Sequence, residues 1–271
     1  MARIIDISPR IGADIEVWPG DTPYRVSWAA RMEAGPASAA IWVHDCSGAV
    51  MQFNEVHDTG KQPGNNDGMA YDFDFSCDDG LLQHNYSRNN AGGFLLMMND
   101  VKRNVIRYNV SENDGPPYII MHCRPEDGNM VYNNVFHVTA GVAPVSGRAI
   151  FTNNIFHAAG DGRFALRAPV VPGKFRRNCF YGPWDGGLPD DPDKMTADPQ
   201  MVAPGTGREG LDSLSGYRLR GGSPCRGAGL PIDNDGMRDF WGNPLKAGVA
   251  RNIGPDQGER ASSRPREGPK R

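Results

Sequence analysis

The sequence predicts an all-β fold, a parallel solenoid of short strands, and two observations carry that expectation. First, one asparagine keeps returning in a similar frame: Asn54 in VMQFNEV, Asn85 in LLQHNYS, Asn109 in VIRYNVS, Asn134 in MVYNNVF, Asn154 in IFTNNIF and Asn178 in KFRRNCF. The steps are 31, 24, 25, 20 and 24 residues. A period of that size marks a repeat architecture. Second, the flanks alternate and are rich in β-branched or aromatic side chains. In Val105-Ile106-Arg107-Tyr108-Asn109-Val110-Ser111, for example, no helical period of apolar residues occurs.

Each period contains a second extended run. Met69-Ala70-Tyr71-Asp72-Phe73-Asp74-Phe75, Phe94-Leu95-Leu96-Met97-Met98 and Tyr118-Ile119-Ile120-Met121-His122-Cys123 are three of them. Turn residues join the runs, as at Asp78-Asp79-Gly80 and Glu126-Asp127-Gly128. Two or three short strands per period make one coil, and coils stack at roughly 4.8 Å. A single coil cannot bury its own apolar face, so the stack holds itself together through its neighbours. A carboxamide both donates and accepts. Asn54, Asn85, Asn109, Asn134, Asn154 and Asn178 are therefore expected to form a structural ladder along one corner. Asn85-Tyr86-Ser87 and Asn109-Val110-Ser111 match the glycosylation acceptor pattern. Inward-facing ladder amides would not be available for it.

With Tyr71–Phe75, Asn85–Leu96 and the tail blocks Ala197-Asp198-Pro199, Gly222-Ser223-Pro224-Cys225, Asp239-Phe240-Trp241-Gly242-Asn243-Pro244 and Asn252-Ile253-Gly254-Pro255, the stretch 39–257 resembles bacterial right-handed parallel β-helix proteins of the pectate-lyase-like superfamily. The resemblance implies a right-handed parallel β-helix over 39–186 and an irregular closing segment over 187–257. It also implies an extended polysaccharide as partner and an extracellular or periplasmic location, although no signal peptide is visible. Residues 1–38 do not fit this pattern. Asp6-Ile7-Ser8-Pro9 and Val17-Trp18-Pro19-Gly20-Asp21-Thr22-Pro23 resemble the opening of bacterial kynurenine formamidases of the cyclase family. That family's His-x-Gly-x-His-x-Asp metal motif does not follow: His44 and His57 are isolated. The composition change at Gly35-Pro36-Ala37-Ser38 marks a seam, and the expectation is a fusion or a spliced reading frame.

The net charge of −3 points to no nucleic-acid surface. No apolar run approaches the roughly 20 residues that span a bilayer. The basic, Pro-rich stretch 258–271 reads as a disordered tail. The five cysteines form no CxxC pair and are expected as small buried hydrophobes. A monomer is the expectation.

Chemistry is expected where strand alternation carries acids out of the core. In Tyr71-Asp72-Phe73-Asp74-Phe75 three aromatics claim the interior, which would turn Asp72 and Asp74 toward water. Two residues along a strand span about 6.6 Å, within the roughly 5 to 9.5 Å that separates paired glycosidase carboxylates. Acids are poor strand formers, so two in one strand call for a reason. Asp78 and Asp79 follow in the next turn, where a turn role competes with substrate binding. Counting back from the ladder places Asp72, Leu96 and Met121 in one column, and Phe75, Asn99 and Arg124 in another. His122 and Arg124 thereby join Asp72 and Asp74 as candidate catalytic residues. Asp78, Asp79, Asn99, Asp100 and Glu126 become candidate substrate contacts. A hydrolase would split the acids into acid and base or nucleophile. A lyase would use Ca²⁺ on oxygen ligands with an Arg or Lys base. A non-catalytic glycan- or surface-binding solenoid and an arylformamidase are the alternatives. Asp233, Asn234 and Asp235 are the remaining candidate Ca²⁺ ligands. Trp184, Trp241 and Tyr181 are expected to cover the open solenoid end.

Overall fold

A computed structural model describes residues 39–61, 67–168 and 171–258. The chain winds into three long parallel sheets. The first stacks Ala39–Val43, Met69–Phe73, Gly93–Met97, Ile119–Met121, Val142–Ser146, Arg163–Arg167 and Trp184–Asp185. The second stacks Val50–Gln52, Leu81–Gln83, Val105–Arg107, Met130–Tyr132, Ile150–Thr152 and Phe175–Arg176. The third stacks Glu55–His57, Tyr86–Arg88, Val110–Glu112, Val135–Val138, Ile155–Ala158 and Cys179–Tyr181. Each coil gives one strand to each sheet, as the period requires. Neighbouring strands pair with equivalent residues on equivalent rungs: Tyr71 with Leu95, Leu95 with Ile119, and Ile106 with both Leu82 and Val131. Stacking like on like fills the bore with aromatic columns, such as Phe151 on Phe175 at 4.8 Å and Phe156 on Phe180 at 5.4 Å.

The corner between the second and third sheets is built from amides. Asn54 Nδ2 donates to Asn85 Oδ1 at 3.0 Å, and Asn85 to Asn109, Asn109 to Asn134, Asn134 to Asn154 and Asn154 to Asn178 follow at 2.9–3.0 Å. The same Oδ1 atoms accept the backbone N–H of the asparagine one coil earlier. Asn85 and Asn109 are fully buried in this column, which leaves no amide for a glycan. Every rung donates in one direction, so the last rung needs an acceptor. Asp191 supplies it: Asn178 Nδ2 and its backbone N–H both donate to Asp191 Oδ2, at 3.0 and 2.9 Å. A carboxylate accepts only, which suits the end of a directional chain. Just before each column asparagine, the backbone turns through the left-handed region at Phe53, His84, Tyr108, Asn133, Asn153 and Arg177, with φ of 50–56°. These are not glycines. The hydrogen-bonded corner holds them there.

A shorter amide column occupies another corner, where Asn104 Nδ2 donates to Asn129 Oδ1 and Gly80 N–H donates to Asn104 Oδ1. Asn90 Nδ2 donates to Asp114 Oδ1, so that pair also ends on a carboxylate.

The closing segment does more than cover one end. Met195 bridges to Cys179 on the last coil. The chain then runs back along the outer face of the third sheet. There Met201, Leu214, Tyr217, Leu219, Cys225 and Ile253 bury Tyr86, Val110, Val135, Ile155 and Cys179. Gly210 N–H reaches Glu55 Oε2 on the first coil at 2.7 Å. Trp184 packs into the core against Phe156, Phe164 and Phe180, as end-covering requires. Trp241 instead lies under the Arg218 guanidinium at 4.8 Å. Residues 1–38, with their formamidase-like motif, and the tail beyond 258 lie outside the described residues.

Candidate functional site

The strand Met69–Phe73 places Tyr71 and Phe73 in the core and Asp72 on the opposite face. At Asp72 that face does not meet water. Asp72 is 1 % exposed, which corrects the expectation that both acids are solvated. Its rung partners are Trp42 on one side and Leu96 on the other, within an outer apolar cluster that includes Ile120 and Met98. Alternation set which face Asp72 takes, and that face is itself apolar. Phe75 departs from expectation too. The strand ends at Phe73, and Phe75 is 41 % exposed in the turn that follows. Asp74 sits at the start of that turn, half-buried, with Oδ1 accepting the Phe75 N–H at 2.9 Å.

Asp72 Oδ1 is buried without a hydrogen-bond partner. Burial pushes its pKa up to about 8, and the charges of Asp74 and then Asp67 push in the same direction. The carboxyl is therefore largely protonated at neutral pH, beside a second, more exposed carboxyl. Asp67 is a contributor that sequence reasoning missed. It stands in an Asn65-Asn66-Asp67-Gly68 turn signature, where an acid is ordinarily read as punctuation.

The other candidates divide. Phe73, Met97 and Met121 share a register position, and the backbone N–H groups of Met98 and His122 donate to Phe73 and Met97 carbonyls. His122 thus stands in the Asp74 column, two rungs or about 10 Å along the stack. It is exposed, and burial, then Arg148 and Arg167, lower its pKa, so the ring is neutral at pH 7. Arg124 is not in the Asn99 column. One extra residue between Met121 and Asn134 shifts the count, so Ile120 rather than Met121 pairs with Leu96. Arg124 turns to Asp127 at 3.5 Å and Glu126 at 3.9 Å, in a local cluster away from Asp72. Asp78 and Asp79 are drawn to Arg103, which donates to Asp79 from Nε and Nη2 at 2.7 Å and to Asp78 Oδ2 at 3.1 Å. Asn99 and Asp100 are exposed in the turn above Phe75 and Ser76. The site therefore comprises Asp72 and Asp74, with Asp67 close enough for its charge to raise the Asp72 pKa and His122 further along the face.

Among the described residues no group of three or more His, Cys, Asp or Glu side chains is placed to hold a metal ion. Asp235 is unsuited to Ca²⁺, because both its oxygens accept from Arg251 and one also from Tyr108. Among those residues no helix is long and apolar enough to cross a membrane.

No family model matches the chain. One curated relative carries chemical information. Over 241 residues, 78% of this chain, the sequence is 35% identical to a lacto-N-biosidase of Bifidobacterium longum subsp. longum. The matched region is only 15% of that relative's length.

Proposed function

We propose that this chain is a carbohydrate-active β-helix protein that hydrolyses a glycosidic bond at the Asp72–Asp74 site. The observation that carries the reading is the burial of the Asp72 carboxyl two residues from Asp74, which raises its pKa to about 8 and favours the protonated form at neutral pH. Glycoside hydrolysis needs such an asymmetric pair: one group holds a proton for the leaving oxygen, and the other acts as base or nucleophile. In this mechanism the side chains that cover Asp72 part when substrate binds, and the uncovered carboxyl protonates the glycosidic oxygen. The departing alcohol takes that proton, and the Asp72 carboxylate remains. Asp74 either takes a proton from the water that attacks the anomeric carbon, or attacks that carbon itself to form a glycosyl ester, which water then cleaves as it gives its proton to the Asp72 carboxylate. The apolar wall of Trp42 and Leu96 keeps Asp72 protonated until substrate arrives. The similarity to a lacto-N-biosidase favours hydrolysis over elimination.

The test is a panel of oligo- and polysaccharides assayed for new reducing ends and for unsaturated products. Hydrolysis predicts reducing ends without unsaturation. Asp72→Asn is expected to lower kcat/KM by about 10²–10⁴-fold, the usual worth of a general acid. A protein that binds a glycan equally well before and after Asp72→Asn, and turns over none, would be the non-catalytic binder instead.

A further inference from the structure

A cleft of about 240 Å³ opens between the outer face of the second sheet and the closing segment. It lies just below the roughly 300 Å³ at which small-molecule pockets begin, so it suits one ring rather than a chain of them. Its walls come from Gln52, Phe53 and His84 on the solenoid and Met237 and Phe240 on the closing segment. The charged groups at its edge are already engaged. Arg107 donates to Gln83 Oε1, Tyr132 Oη and the Asn234 carbonyl. Arg238 donates to the Gly242 carbonyl. Asp239 accepts from the backbone N–H groups of Trp241, Asn243 and Gln257 and from Asn243 Nδ2.

Beside them stand two neutral groups with hydrogen-bonding capacity to spare. A hydrogen-bond relay runs from Arg107 to Gln83 and from Gln83 Nε2 to Gln52 Oε1 at 2.7 Å, and it ends on the Gln52 amide N–H₂. His84, 7 % exposed, has a buried Nδ1 with no partner. Phe53 stacks on His84 at 5.2 Å and 10° yet stays 46 % exposed, and Met237 is 57 % exposed. Two unpaired neutral hydrogen-bonding groups beside two exposed apolar side chains match a ring with hydroxyls on its edge and C–H groups on its face.

We propose that this cleft is a subsite for one neutral pyranose unit of a glycan, with its hydroxyls on Gln52 and His84 and its C–H face on Phe53 and Met237. Burial holds the His84 pKa down near 3, so the ring adds no charge to the cleft at neutral pH. The subsite lies on the second sheet and uses neither Asp72 nor Asp74, so it stands apart from the hydrolytic reading.

The test is saturation-transfer NMR on the full chain with galactose, glucose, N-acetylglucosamine and glucuronate as probes. Saturable binding of at least one neutral sugar is expected, weakened about ten-fold or more by Phe53→Ala and by Gln52→Ala, and unchanged by Asp72→Asn. Both altered side chains are partly exposed, and circular dichroism and unfolding midpoints verify that the variants are folded. The proposal is overturned if no neutral sugar binds, if glucuronate binds more tightly than all neutral sugars, or if Phe53→Ala binds like wild type. Loss of binding in Asp72→Asn with Phe53→Ala unaffected would assign the sugar to the first-sheet site and overturn it as well.

Discussion

Asp72 owes its chemistry to the rungs above and below it. Trp42 and Leu96 desolvate the carboxyl, and Asp74 and Asp67 add like charge. The sign of the resulting pH dependence follows from linkage. The folded-state pKa, about 8, lies above the ordinary carboxyl value of 3.8, so between those pH values the folded protein holds a proton that the unfolded chain releases. Asp72 thus costs stability as pH rises through that window. Asp72→Asn is expected to gain stability relative to wild type from pH 4 to pH 8, measured as the difference in urea midpoints. A constant difference would contradict the shift. At the far end of the amide column, Asp191→Ala removes the acceptor for Asn178 and strands buried N–H donors, at about 1–3 kcal/mol. Asp191→Asn, which restores an acceptor oxygen, should recover part of that loss in the same unfolding experiment. The six column asparagines are legible in the sequence because one side chain must recur at one corner. Asp191 is not, because the terminal acceptor occurs once and has no period. The burial of Asp72 is not legible either. Alternation assigns a side chain to a face but says nothing about whether that face meets solvent.

At the scale of elements, the register shows why counting residues is an incomplete guide. The extra residue between Met121 and Asn134 leaves the column asparagine in place but moves Arg124 out of the Asn99 column. Strand pairing follows the hydrogen-bonded rungs, and the turn absorbs the insertion. The closing segment is a second case. Its blocks were readable as a terminus, but its course along the third sheet depends on a row that periodicity does not reveal. His57, Arg88, Glu112, His137, His157 and Tyr181 align across successive rungs there. Glu112 Oε2 accepts from Tyr86, Tyr217 and the Gly207 N–H, which ties the segment down. His137 Nδ1 lies 2.8 Å from His157 Nδ1, and burial, then the His157 charge, lowers the His137 pKa to about 4. The folded state therefore resists taking a proton that the unfolded chain binds below about 6.5. The row should weaken as pH falls from about 6.5 toward 4. His137→Gln is expected to flatten that part of the stability profile, and an unchanged slope would rule the pair out as its source. Cys46 and Cys77 are also rung partners, with Sγ atoms 3.2 Å apart. Parallel rungs lie about 4.8 Å apart, inside the Cα range a disulfide tolerates. Treatment with oxidised glutathione is expected to link them, with release of two glutathione thiols, and peptide mapping by mass spectrometry checks the bond. Recovery of both as free thiols would show that the rung geometry does not allow it.

For the molecule as a whole, the solenoid turns a weak sequence signal into a long ordered face. Short strands of two to five residues form sheets of six or seven only because every coil repeats the same corner. The closing segment is bound along the stack, and residues 1–38 lie outside the described structure. The candidate hydrolytic site and the cleft lie on different sheets, so one glycan chain could engage the molecule at two points without either site altering the other. The most direct measurement is a ¹³C NMR titration of the aspartate carboxyl carbons in wild type and Asp72→Asn. One resonance titrating near pH 8, absent from the variant, is the predicted result. If no aspartate carboxyl titrates near 8, Asp72 holds no proton for a leaving group, and the hydrolytic account is contradicted.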